Sequence, residues 1–332
     1  MRVPYEMMRN EFVRVLEKYG MGKKDAALAA TLFADASLDG VYTHGLNRFP
    51  KFIKSIENGS VVVTKRATMK ERVGALERWD GNRGPGNLNA YHAMGRAIAI
   101  AKEKTFGIVT LSDTNHWMRP GAYGLMAARE NCIGILWTNT VPNMPPWGAK
   151  DAHLGNNPMV VAIPHGDVPV LLDCAMSMFS YGKLEKYVME GKRLPIQGGF
   201  DKDGKMTDDP AAILETHQVF PIGYWKGSGL SLVLDLIAAI LSGGRTSKQI
   251  GDLPTETELS QVFVAISLDA FPDKEAVKEK IEETLNDLHS AIPMDGQRPV
   301  RFPGEGMVQV REENTKKGIP VDEDVWNKVK AL

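Results

Sequence analysis

The chain has 332 residues, 43% of them hydrophobic, and a formal net charge of −1 from 40 Lys and Arg against 41 Asp and Glu. That length accommodates two modest domains, or one large one with a helical appendage, around a full core. Charges of both signs are scattered rather than blocked, which argues against a nucleic acid or a membrane surface as the main partner.

No apolar run approaches the roughly 20 residues that span a bilayer. The opening "MRVPYEMMRNEF" interrupts every apolar run with charge, so no signal peptide is expected and the reading is a cytoplasmic protein. The two cysteines, Cys132 and Cys174, fall in stretches that read as buried strands, against a disulfide framework or a thiolate metal site.

Along the chain, Met8, Phe12, Val15 and Tyr19 recur at helical spacing and Gly20 closes the run. An Ala-rich helix over about 23–39 stops at Gly40, and a third over about 46–57 ends at the turn pair Asn58-Gly59. From about 61 short β-prone pieces lead through "GNRGPG" into a helix near 88–104. The apolar run Gly107–Leu111, a helix beginning near Gly121 and the run Ile133–Thr138 form a strand–helix–strand unit, which implies parallel neighbours. Further strands are expected at 159–163, 168–173 and 261–269. The segment 224–243 is too apolar for a surface helix and is expected to be central and buried. "DKDGK" at 201–205 lacks the closing acid of a calcium loop and reads as a hairpin turn. Helices over about 273–290 and 321–331 finish the chain. The fold class expected is α/β, with residues 66–271 as the α/β domain and residues 1–65 plus 272–332 as one helical domain formed by both chain ends.

The dinucleotide fingerprint G-x-G-x-x-G between strand and helix is absent. "GNRGPG" has its glycines in the wrong order, and "KGSG" lacks the third glycine. Its Gly227 and Gly229 fit either close helix packing or a phosphate at a helix start.

Among seven histidines, His44 in "YTHGLNR" and His116 in "SDTNHWMRPG" lie in loops rich in hydrogen-bonding groups. With Thr43 as a helix cap, His44 and Arg48 share one face a turn apart. That pair suits reduction of a 2-keto acid: guanidinium grips the carboxylate with two parallel hydrogen bonds, and imidazole gives a proton to the carbonyl oxygen. A helix start and the arginine lower the imidazole pKa, and a carboxylate such as Asp173 restores it. The residues alone leave open a plain capped helix with a solvated arginine. The proline-rich stretch from Thr140 to Met159 has little helical or strand pattern and reads as a site-lining loop. "LLDCAMSMFSYGK" leaves a strand with an acid, as α/β ligand sites do, or simply packs a core. His44, His116 and Asp173 are also the ligand types of a metal-dependent lyase or hydrolase, though no ligand spacing supports a metal.

Taken together, "GVYTHGLNRFPKFI", "NHWMRPG", "MPPWGAK", "MSMFSYG", "YWKGSG" and "RFPGEG" make the chain resemble the type-2 malate/L-lactate dehydrogenase family essentially end to end. The resemblance implies a mixed-sheet, non-Rossmann fold that binds NAD or NADP, with NADH favoured, and homodimers whose active site lies at a domain and subunit boundary. It puts the proton donor on His44 and the substrate carboxylate on Arg48, with His116 and Asn156 lining the substrate. Cofactor contacts fall on Pro169, Val170, Leu171, Leu172, Asp173, Cys174 and Ala175, on Trp225 and Lys226, and on Gly304, Glu305 and Gly306. "GYWKGSG", where many members have "GGKGYG", favours the branch that reduces 2,3-diketo-L-gulonate to 3-dehydro-L-gulonate. Other 2-oxo or imino acids, of malate, lactate or sulfolactate type, are the alternatives. "GNNP" at Gly155–Pro158 and Glu305 after Gly304 depart from the family pattern.

Overall fold

The computed structural model describes residues 1–332. In chain order the strands and helices are β1 (Arg2–Val3), α1 (Tyr5–Lys18), α2 (Lys23–Leu38), α3 (Phe49–Glu57), β2 (Thr68–Val73), β3 (Leu76–Asp80), α4 (Gly86–Lys104), β4 (Phe106–Thr114), α5 (Gly121–Arg129), β5 (Cys132–Thr138), β6 (Met159–Ile163) and β7 (Val170–Cys174). Then follow α6 (Tyr181–Met189), β8 (Gly199–Phe200), β9 (Met206–Thr207), α7 (Pro210–Thr216), α8 (Trp225–Ser242), α9 (Ser247–Gly251), β10 (Leu259–Ser267), α10 (Lys274–Ser290), α11 (Glu305–Lys317), β11 (Ile319–Pro320) and α12 (Glu323–Ala331).

The apolar stripes of α1, α2 and α3 meet in a phenylalanine cluster. Phe12 stacks on Phe49 at 4.2 Å between ring centres, and Phe33 meets Phe49 edge-on at 5.1 Å. The chain's last elements close this core: Ile319, Trp326 and Val329 are buried in it, and β11 pairs with β1 through Ile319 and Val3. Helix α10 contributes a single buried side chain, Leu285.

The central sheet has seven strands in the order β2-β3-β4-β10-β5-β6-β7. Strands β3 and β4 run parallel, and every other neighbouring pair is antiparallel. The strand–helix–strand unit therefore does not make neighbours. β10 inserts between β4 and β5, bonded antiparallel to each, so these two point the same way with a strand between them. Side-chain alternation along β10 sends Phe263 and Ala265 towards α4 and α5, and Val262 to the opposite core beneath α8. Cys132 and Cys174 are free thiols. The turn at 201–205 joins β8 to β9, with Asp201 Oδ1 accepting from the backbone of Asp203 and Lys205.

Helix α8 is not central. It buries Ser231, Leu234, Asp235 and Ala238 against the sheet, while Leu230, Val233, Ile237 and Ile240 form an exposed stripe at i, i+3, i+7, i+10. Nor does the absence of a span-like run hold: α8, at 18 residues and mean hydropathy 1.4, reaches the length and apolarity of one. Its Asp235, held by Asn139 Nδ2 at 2.8 Å and by the Ser247 backbone N–H at 2.8 Å, ties it to the folded body instead.

Candidate active site

The segment that carries His44 and Arg48 is two short 3₁₀ turns, Tyr42–His44 and Leu46–Arg48, hinged at Gly45 before α3 begins. Thr43 therefore caps no helix. Its Oγ1 lies 3.1 Å from His44 Nδ1 instead, which orients the ring and leaves Nε2 for chemistry. The hinge is pressed onto α2. Leu46 N–H donates to Ser37 Oγ at 2.9 Å, and a Cβ at position 45 would stand 2.8 Å from Ser37 N and 2.9 Å from Phe33 O. Only glycine fits there, so the close approach that fixes the segment carrying His44 and Arg48 is written in one residue.

His116 arrives on the loop after β4. Its Nδ1 accepts the backbone N–H of Met118 at 3.0 Å, which puts the proton of the neutral ring on Nε2. Met118 holds a left-handed φ of +65°, an uncommon conformation for a bulky residue. The His116 ring stacks on His44 at 5.9 Å.

Each ring keeps some contact with solvent, yet protein packs round it from nearly every side. Burial, then the charges of Arg48 and Arg119, pull His44 down to about 4. Burial, Arg48, His44 and Lys51 hold His116 well below the ordinary histidine range. The carboxylate expected to restore His44 does not do so. Asp173 lies at the start of α5, where its Oδ2 accepts Gly121 N–H at 2.9 Å, and burial raises its own pKa against the pull of Arg119 and that hydrogen bond. Arg48, lowered by burial and supported by Glu256 and Glu185, faces Glu256 at 4.0 Å.

Two residues of this site were not singled out from the sequence. Arg119 is buried and paired with Asp39, which Arg311 also grips at 2.6 Å, and its Nη2 touches Met307 Sδ. It stood inside the quoted "NHWMRPG", a string whose weight lay on the histidine. Glu256 reaches Arg48 from the loop before β10, about 200 positions away in sequence, and no local pattern marks it.

The remaining residues group around β7, which ends the sheet. At one end of the strand Leu171 N–H donates to Pro303 O at 2.8 Å, and Gly304 packs against Leu171 and Pro169, which brings residues 304–306 beside residues 169–171. At the other end Ile222 N–H donates to Met176 O at 2.7 Å, which carries Trp225 and Lys226 alongside. Leu172 and Trp225 are exposed, 44% and 68%, and Tyr224 has φ +60° at the start of α8. Gly227 packs against Ile222 and Met176 backbone, as the close-packing reading of "KGSG" expects, whereas a Cβ at Gly229 would meet nothing. A cavity of about 380 Å³ opens between residues 167–169, the end of α5 and α11, and Arg129 and Lys316, neither in an ion pair, line it. Asn156 Oδ1 accepts from Thr140 Oγ1 at 3.2 Å and Asn143 Nδ2 at 3.1 Å. No three His, Cys, Asp or Glu side chains converge as metal ligands, and Asp173 stands apart from the two histidines.

The chain matches the model of the malate/L-lactate dehydrogenase family over residues 3–330. A 2,3-diketo-L-gulonate reductase from Citrobacter koseri is 41% identical over 333 aligned residues, which cover 100% of both chains. Among solved structures, malate dehydrogenase from Entamoeba histolytica aligns with a TM-score of 0.93 at 26% identity, over 100% of this chain and 96% of that one. Sulfolactate dehydrogenase from Methanocaldococcus jannaschii aligns with a TM-score of 0.88 at 30% identity, again over 100% and 96%.

Proposed function

The chain belongs to the malate/L-lactate dehydrogenase family, an oxidoreductase assignment, and on that premise we propose that it reduces 2,3-diketo-L-gulonate to 3-dehydro-L-gulonate with NADH. The observation that carries this reading is one neutral imidazole, His44, and one guanidinium, Arg48, largely buried and close enough that the charge of Arg48 acts on His44. The substrate's name comes from the diketogulonate reductases, whose 41% identity exceeds the 26% and 30% of the malate and sulfolactate enzymes.

Arg48 binds the substrate carboxylate and thereby loses its free positive charge. His44, depressed mainly by burial and by that charge, then gains basicity, takes up a proton, and delivers it from Nε2 to the carbonyl oxygen as that oxygen becomes negative. His116, its Nε2–H free, donates a second hydrogen bond in the same site. A bound nicotinamide cofactor supplies the hydride. The chain's own residues suit such a group. Exposed Leu172 and Trp225 offer flat apolar surface for rings, and Arg129 and Lys316 offer unpaired cations for phosphates.

The working form in this reading is a cytoplasmic homodimer. Its support is the uncovered Leu230, Val233, Ile237 and Ile240 stripe on α8, which a second copy covers by two-fold symmetry. The test of function is direct. Nicotinamide absorbance falls when protein, NADH and 2,3-diketo-L-gulonate are mixed, and a chelator leaves the rate unchanged. A rate abolished by chelator and independent of NADH would return the metal-dependent lyase reading to first place.

A further inference from the structure

Arg48 and His44 are linked by a ring of contacts, most of which the chemistry above does not use, and which passes the end of β7, where Asn156 O accepts Met176 N–H at 2.7 Å. Arg48 faces Glu256 at 4.0 Å, and Glu256 Oε1 accepts the N–H of Val141 at 3.3 Å. Thr140 and Asn143, either side of that residue, both donate to Asn156 Oδ1. Asn143 O in turn accepts from Tyr181 OH at 2.5 Å, and Gly182, the next residue, packs on Thr43 beside His44. The ring therefore begins at Arg48 and returns to the residue before His44.

Three groups on this ring are without partners: the buried Asn143 Oδ1, and one atom each on the partly exposed Glu256 and Asn156. Glu256 Oε2 makes no hydrogen bond, only its long approach to Arg48. Asn156 has its carbonyl oxygen doubly engaged while its Nδ2 donates to nothing in the protein. One fixed acceptor and one fixed donor match a hydroxyl, which both gives and takes a hydrogen bond. The charge balance points the same way. Glu256 and Glu185 are the acids that act on Arg48, and once Arg48 is taken by the substrate's own carboxylate, any second acid group on the ligand meets carboxylates.

We infer that Glu256 and Asn156 form a hydroxyl-reading wall that selects 2-keto acids with an uncharged, hydroxylated tail and rejects those with a second acid group. This rests on the reduction proposed above and assigns its substrate class to named residues. Glu256 contributes attraction through charge-assisted hydrogen bonds to the tail and rejection through charge; removing its charge weakens the first, since an amide oxygen still accepts, and abolishes the second.

The test uses the full chain with NADH and three substrates: 2,3-diketo-L-gulonate, pyruvate as a tail-free reference, and oxaloacetate as a diacid. For Glu256→Gln the ratio of kcat/KM for oxaloacetate to that for 2,3-diketo-L-gulonate rises about a hundredfold or more, most of it in KM. Glu256→Asp, which keeps the charge, holds the ratio within about tenfold of the parent. Asn156→Ala lowers kcat/KM for 2,3-diketo-L-gulonate about tenfold more than for pyruvate. Equal losses on all three substrates in Glu256→Gln would reduce Glu256 to a prop for Arg48 and overturn the inference, as would an unchanged ratio. A parent enzyme that oxidises NADH with none of the three overturns the proposed function itself, and the wall with it. Parent activity with an unmoved ratio overturns the wall alone.

Discussion

The imidazoles of His44 and His116 lie 5.9 Å apart with their planes 18° from parallel, and both are held neutral at physiological pH. If His44 is the proton donor of the proposed reduction, it rests deprotonated and must acquire its proton when the substrate arrives. The pH dependence follows. His44 titrates at about 4 in the free protein, so its protonated fraction falls tenfold for each pH unit above that. Log kcat/KM for reduction therefore declines with a slope near −1 from about pH 5 to 8. The reverse oxidation needs the neutral ring and is flat over the same range. In the kcat profile, which reports the substrate complex, the inflection moves to higher pH because the bound carboxylate offsets Arg48. A reduction profile that rises with pH would remove His44 from the donor role.

Substitution at the two histidines separates their work. His44→Ala lowers kcat by about 10²–10⁴-fold, the range for removing a positioned acid, while NADH still quenches tryptophan fluorescence on binding. His116→Ala acts chiefly on KM, because Met118 N–H fixes its Nδ1 and leaves only a neutral N–H to offer. Equal collapse of kcat in both variants, measured by steady-state kinetics, would make the stacked pair one proton-transfer unit instead.

Arg48→Lys tests the grip on the carboxylate. Lysine keeps the charge, so His44 stays depressed, but a point ammonium cannot reproduce the two parallel bonds of a guanidinium fork. The expected result is a KM raised by about tenfold or more, since bonds to charged groups are worth roughly 1.5–3 kcal/mol. The pH profile of kcat/KM keeps its shape. An unchanged KM would mean that the substrate acid is held elsewhere.

Much of this site stood in the sequence, and what did not has physical reasons. Helix periodicity and glycine stops placed α1, α2 and α4 closely, because those signals are local. The 3₁₀ turns at Tyr42–His44 and Leu46–Arg48 were hidden because His44 and Arg48 at i, i+4 also fit an α-helix; the steric demand at Gly45 comes from Ser37 and Phe33 on another helix. The insertion of β10 between β4 and β5 is a pairing over more than 120 residues, which no window of sequence contains. Helix α8 looked buried because its apolar residues point two ways, one set to the sheet and one outwards. Glu256 became legible only when the fold carried it to Arg48.

The outward set on α8 makes the dimer testable. Val233→Asp or Ile240→Asp places a carboxylate on the exposed stripe, where burial against a second copy is strongly unfavourable. Light scattering after size exclusion then gives the mass of one chain for the variant and of two for the parent. Far-ultraviolet dichroism stays unchanged, since neither side chain belongs to the buried core. A parent that runs at 36.5 kDa, the mass of one chain, would refute the dimer.

The pairing of Asp39 with Arg119 joins three elements behind the site: the end of α2, the His116 loop and, through Arg311 and Met307, the start of α11. The Arg119 side chain is only 4% exposed and that of Asp39 only 3%. Asp39→Asn keeps the shape but removes the charge that balances Arg119, and breaking a buried pair in this way costs about 3–5 kcal/mol. For a chain of 332 residues, whose unfolding entropy is about 2.1 cal/mol/K per residue, that lowers Tm by roughly 4–7 °C. Uncompensated, Arg119 also exerts its full charge on His44 and Asp173, the two groups its field already reaches. The loss of stability is therefore accompanied by a fall in the His44 pKa and a shift of the kcat/KM profile for reduction to still lower pH. The double change Asp39→Leu, Arg119→Met, which removes both charges at similar volume, recovers most of the Tm, as buried pairs replaced by apolar residues do. Calorimetry on the three proteins distinguishes this from a simple loss of packing, in which the double variant would be the least stable of them.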